Sequence, residues 1–113
     1  MNQPPVIVER FYGFLVWLFE RTSQYPRAYR YSLGEKIQRE ALSFLDHIVQ
    51  AAYRRDRREL LEEANRRLEV LRFLFRLSKD LKCLSVRQYD HAGKECMEVG
   101  NQLGGWRKSV RGK

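Results

Sequence analysis

Apolar residues recur at steps of three and four along four successive segments of this chain, and no alternation of period two persists long enough to make a strand. After Pro4-Pro5, one stripe runs through Ile7, Phe11, Phe14 and Leu18, and a second through Val8, Tyr12, Leu15 and Phe19. Together they leave a first helix apolar around more than half its circumference. One neighbour cannot cover that width, so this helix is either central in a bundle or shared with another subunit. Its end is expected at Gln24-Tyr25-Pro26-Arg27, because Pro26 disfavours helical geometry in Tyr25 and has no amide to donate.

Ser32-Leu33-Gly34-Glu35 has the capping-box spacing, which predicts the start of a second helix with the stripe Ile37, Ala41, Phe44/Leu45, Ile48 and Ala52. Asp56-Arg57-Arg58-Glu59 offers a second box-like start. The helix after it would turn Leu60/Leu61, Ala64, Leu68, Leu71, Phe75, Ser78 and Leu81 to one face. A third box, Ser85-Val86-Arg87-Gln88, precedes Tyr89, Ala92, Cys96, Val99, Leu103 and Trp106. Long helices joined by short links favour antiparallel neighbours, so the expected fold is all-α, an antiparallel up-down-up-down four-helix bundle. At 113 residues the chain has room for one core, and residues 1–113 read as a single domain with a short basic C-terminal tail. Gly93 and Gly100, seven residues apart, point to close helix approach, while Gly104-Gly105 could equally mark a frayed end.

The chain carries 22 Lys and Arg against 14 Asp and Glu, a net charge of +8, which favours an acidic partner. The surplus is clustered: residues 21–39, 72–87 and 107–113 carry +4 each, and the rest of the chain sums to -4. In an up-down-up-down bundle Arg21, Arg27, Arg30, Lys79, Lys82 and Arg87 meet at one end. Arg54, Arg55, Arg57, Arg58, Arg107 and Lys108 gather at the other with Arg111 and Lys113. Arg21, Arg54, Lys79 and Lys108 have a plain structural explanation, since cations are favoured in the last turn of a helix. Arg27, Arg30, Arg111 and Lys113 do not, because they read as lying in a connection or the tail. With Tyr25, Tyr29 and Tyr31 interleaved, they suggest a surface that contacts phosphates and stacks bases. On helix three, Arg58/Glu62, Glu62/Arg66 and Glu63/Arg67 have intrahelical spacing and read as a solvated face.

No catalytic pattern emerges. His47 and His91 have no partner at metal-ligand spacing, Gly104-Gly105-Trp106-Arg107 lacks the spacing of a phosphate loop, and Asp46, Asp56, Asp80 and Asp90 are scattered. A metal site of Cys83, His91 and Cys96 can be drawn but has little to recommend it. The chain is expected to be non-catalytic and without a cofactor. Cys83 and Cys96 lie far apart without a CxxC, and the N-terminus lacks the features of a signal peptide, so a reduced, cytoplasmic setting is expected. The apolar run Phe11 to Phe19 is short of the about 20 residues that span a bilayer, which argues against a membrane partner.

The run from Tyr25 to Ile37, YPRAYRYSLGEKI, resembles the signature of the accessory variability determinant (Avd) proteins of diversity-generating retroelements: an aromatic-Pro pair, a basic residue, then Leu-Gly before helix two. The ending from Glu98 to Ser109, EVGNQLGGWRKS, is similar to their C-terminal helix, so the resemblance spans nearly the whole chain. Tyr25 departs from the Phe of many relatives. The bundle proteins encoded by ribosomal RNA intervening sequences are a related family. The resemblance implies a basic four-helix bundle in a ring-like homopentamer that binds the retroelement's reverse transcriptase and template RNA. Such a protein supports error-prone cDNA synthesis and mutagenic retrohoming without being the polymerase. Whether DNA is also bound stays open. Two other readings remain: a basic nucleic-acid-binding bundle unconnected to retroelements, and a structural oligomer whose charge serves solubility.

Overall fold

The computed structural model describes residues 5–111, all helical apart from the connections. Helix α1 is Val6–Ser23. Helix α2 opens with the turn Arg27–Tyr29, passes through a π-helical turn Arg30–Gly34 and continues as regular α-helix over Glu35–Tyr53. Helices α3 and α4 are Arg58–Asp80 and Val86–Arg111. Among the described residues no helix is long and apolar enough to cross a membrane.

The four periodic faces meet in one core. Phe11, Phe14 and Leu18 of α1 are buried with Ile37, Ala41, Phe44 and Ile48 of α2, with Leu61, Leu68, Leu71 and Phe75 of α3, and with Ala92, Cys96, Val99 and Leu103 of α4. Phe11 lies 4.5 Å from the Phe44 ring and Phe14 meets Phe75 edge-on at 5.9 Å. Contacts of α1 with α2, and of α3 with α4, run in opposite chain order. Phe11 touches α2 at Phe44 and Thr22 touches it at Gln38, while α3 reaches α4 through Glu62 and Arg107 and again through Arg72 and Cys96.

Several local expectations need correction. The box at Ser32 and Glu35 does not form, because the helix has already begun at Pro26, whose carbonyl accepts from the amides of Tyr29 and Arg30. Pro26 itself stays extended at the N-cap, with ψ 144°, where its missing amide costs no helical hydrogen bond. Ser32 is then interior to the helix, and its hydroxyl turns back toward the Tyr29 carbonyl at 3.5 Å. The π turn accommodates the Tyr25-to-Glu35 segment while keeping Leu33 and Gly34 buried. Arg27 and Arg30 therefore stand on helical turns, not in an irregular connection.

The box at Asp56 and Glu59 is also absent: Arg57 holds the N-cap position of α3 without a side-chain cap. The third box forms fully, with the Gln88 amide donating to Ser85 Oγ at 3.0 Å and the Ser85 amide donating to Gln88 Oε1 at 2.9 Å. Helix α4 does not fray at Gly104-Gly105 but continues to Arg111, so Arg111 ends a helix and does not lie in a tail. Of the second α1 stripe, Val8 and Leu15 are buried, Phe19 is half-buried and Tyr12 is exposed. Only one of the paired glycines marks close approach: a Cβ on Gly100 would meet Arg72 Nη2 at 2.6 Å, whereas Gly93 faces open space.

Candidate nucleic-acid interface

The bundle measures 46 × 21 × 20 Å, and contacts gather basic residues into two groups: the Tyr25–Ser78 bond brings the α1–α2 connection to the end of α3, and Arg57 brings the α2–α3 turn to Trp106 of α4. The first end is built around Tyr25. Its ring is fully buried and its hydroxyl donates to Ser78 Oγ at 2.8 Å, tying the α1–α2 connection to the last turn of α3. Ser78 in turn donates to the Leu74 carbonyl at 2.8 Å, so the pair is satisfied. Burial pushes the Tyr25 phenol up to about 12, which keeps it protonated as a donor. Thr22 adds a second tie, accepting from Gln38 Nε2 at 2.9 Å.

Around this anchor, Arg27, Lys82 and Arg87 are exposed and Arg21, Arg30 and Lys79 are half-buried. Arg30 Nε donates to the Tyr25 carbonyl at 3.2 Å, and Lys79 Nζ lies 4.8 Å from the Tyr89 ring and 3.7 Å from Asp80. These two are partly engaged in holding the end together. Of the interleaved tyrosines, only Tyr31 is well exposed; Tyr29 is half-buried and Tyr25 is unavailable for stacking.

The second end comprises the α2–α3 turn and the last turns of α4. Arg54, Arg55, Arg58 and Lys108 are exposed there. Arg57 donates through Nε to the Arg54 carbonyl at 2.9 Å, with its guanidinium 5.8 Å from the centre of the Trp106 ring. Arg107 does not belong with the exposed cations, since it grips Glu62 through Nη2 at 2.7 Å and Nε at 3.2 Å. The Glu62 bond raises its already high pKa and joins α3 to α4. Lys113 and the side chain of Arg111 lie outside the described residues.

Sequence spacing missed three features. Glu40 is buried yet paired to Lys36 and Arg67, and its position on the apolar side of α2 signalled only a core residue. Tyr53 is an exposed aromatic ring beside Arg54 and Arg55, and it could have been noticed as the residue at which apolar periodicity stops. An open apolar pocket of about 250 Å3, lined by Pro5, Val6, Ile7, Gln102 and Trp106, needs two helices far apart in sequence and left no signal. Cys96 is buried in the core and Cys83 half-buried at the α3–α4 turn, both with thiols pushed up by burial. Among the described residues no three His, Cys, Asp or Glu side chains are grouped to hold a metal, so Cys83, His91 and Cys96 do not form the site that could be drawn from sequence. His91 instead packs edge-on against Trp17 at 4.6 Å.

Residues 5–110 match the family model described as bAvd-like. No curated protein matches the chain.

Proposed function

This chain belongs to the bAvd-like family, and from that premise we propose that it is a non-catalytic accessory protein of a diversity-generating retroelement. It binds the reverse transcriptase and the template RNA, supports mutagenic cDNA synthesis and retrohoming, and works in the cytoplasm. The observation that carries this reading is the family match over nearly the whole chain. The exposed cations at the two ends add support, because phosphate binding rests on uncompensated Lys and Arg. The opposed contact order of α1 with α2, and of α3 with α4, supports the up-down-up-down topology, which sends those cations to two ends.

Assembly into a homo-oligomer, a pentamer by the family resemblance, belongs to the same proposal. Helix α1 exposes Tyr12 and Val16 between the acids Glu9 and Glu20, and α3 exposes Val70, Phe73 and Leu77 beside Arg76. Exposed apolar stripes on two different elements suit a head-to-tail contact, the kind that closes into rings.

Co-purification of the protein with the reverse transcriptase of its retroelement, with and without template RNA, tests the reading directly. Complex formation and a requirement for this protein in cDNA synthesis are expected, and charge-reversed variants that still assemble should fail. Retained fold and RNA affinity with no effect on the reverse transcriptase would transfer the assignment to a general nucleic-acid-binding bundle. Magnesium-dependent primer extension or RNA cleavage by the isolated protein would overturn the non-catalytic role.

A further inference from the structure

We propose that the end formed by the α2–α3 turn and the last turns of α4 is a single-strand-specific nucleic-acid site, with an unpaired base laid against Trp106 and the adjoining phosphates on Arg54, Arg55 and Arg58. The inference rests on the nucleic-acid binding proposed above and assigns it to one of the two basic ends.

The pocket beside Trp106 supplies what a base needs. Its walls are apolar, contributed by Pro5, Val6 and Ile7, and the Gln102 amide offers both a donor and an acceptor to a base edge. Arg57 is held near the Trp106 ring by its bond to the Arg54 carbonyl, so a cation already accompanies the stacking surface. Tyr53, 63% exposed and next to Arg54, provides a second platform for a neighbouring base. A base within a duplex is stacked on both faces and cannot turn into such a pocket, whereas an unpaired one can.

The two ends differ in how far their polar groups are already engaged. The N-terminus of α3 has no side-chain cap, so the amides of its first turn, next to Arg55 and Arg58, are open to a phosphate oxygen. At the opposite end the N-terminus of α4 is closed by the reciprocal Ser85–Gln88 bonds, while that of α2 at Pro26 is, like α3's, without a side-chain cap. The opposite end also commits Arg30 to the Tyr25 carbonyl and Lys79 to Tyr89 and Asp80.

The test uses the full chain carrying Trp17→Phe, which leaves Trp106 as the fluorescent reporter, titrated with single-stranded RNA and with duplex RNA of equal length at several salt concentrations. The single strand should quench Trp106 and the duplex should not. Trp106→Leu, which removes the reporter and is followed by anisotropy of a labelled RNA, should weaken single-strand binding about tenfold, the loss of roughly one stacked base. Tyr53→Ala, at an exposed position that cannot unfold the core, should weaken it severalfold. Replacing Arg54, Arg55 and Arg58 with Gln should lower the salt slope by about 0.7 per lost contact, while the same change at Arg27, Lys82 and Arg87 should leave it unaltered. Binding insensitive to Trp106, Tyr53 and the three arginines would overturn this placement and leave the broader reading intact. If the unsubstituted protein bound no nucleic acid at all, both would fail.

Discussion

Glu40 shows how a buried charge is retained in a helical core. Its side chain is 5% exposed, and Lys36 Nζ and Arg67 Nη1 each lie 2.9 Å from one of its oxygens. Burial pushes its pKa up, but the two cations outweigh that and hold it below the ordinary value of 4.5. A carboxyl depressed in the folded state contributes stability above its unfolded pKa and loses it as pH falls through the folded one. Urea denaturation midpoints should therefore drop on acidification below about pH 4.5, and Glu40→Gln should lower the midpoint at pH 7 while flattening its fall with pH. Identical pH profiles for the two proteins would show that Glu40 has no part in acid sensitivity. Tyr25 is the second instructive residue, since its hydroxyl, the group by which it departs from Phe, has a partner in Ser78. Tyr25→Phe leaves Ser78 bonded to Leu74 and should cost about 1 kcal/mol in chemical denaturation. Tyr25→Ala, which empties a fully buried site, should cost about 3–5 kcal/mol.

At the scale of elements, helix ends decide which sequence signals count. Ser85→Ala removes a working cap and should destabilise the protein by about 1 kcal/mol, whereas Ser32→Ala should cost little, because Ser32 lies inside a helix that began at Arg27. Equal losses would mean that the Ser32 box forms in solution. The end of α3 is equally specific. The Cys83 amide bonds the Ser78 carbonyl at 2.7 Å and the Lys82 amide bonds the Lys79 carbonyl at 2.9 Å, a Schellman closure with Lys82 at φ 64°. Glycine ordinarily takes that left-handed position, and Lys82→Gly should raise stability by about 1 kcal/mol. Gly93→Ala, facing open space, should gain a similar amount from helix propensity. Gly100→Ala should gain less, because the new methyl displaces Arg72 from the Cys96 carbonyl, and thermal unfolding of the pair gives the comparison.

At the scale of the molecule, apolar stripes on α1 and α3 remain uncovered among the described residues. Val16 and Phe73, 49% and 67% exposed, lie on different helices and cannot cover each other within one bundle. Phe73→Glu or Val16→Lys should shift light-scattering mass toward the monomer while helical circular dichroism stays unchanged. A protein that is monomeric before substitution at micromolar concentration would remove the basis for assembly. The separation of the basic ends has its own consequence. Substitutions at one end should be additive with those at the other, since sites this far apart share no contacts.

The helical class, the four periodic faces and the core residues were legible in sequence because burial of apolar side chains at steps of three and four is a local pattern, and each segment carries its own. The clustering of charge was legible for the same reason, together with the Tyr25–Ile37 and Glu98–Ser109 motifs. The start of α2 was not. Ser32 and Glu35 satisfy a local capping pattern, and the competing start at Pro26 won because Tyr25 is anchored by Ser78, a contact 53 residues away in the chain. Tertiary pairing likewise decided which cations are available. Arg107 reads as one more cation of a basic end until Glu62 of a neighbouring helix pairs with it, and Trp106 reads as a core position until the first turn of α1 makes one wall of an open pocket beside it. Spacing along a chain records which face a residue turns inward. What meets it there depends on helices that only the folded bundle brings together.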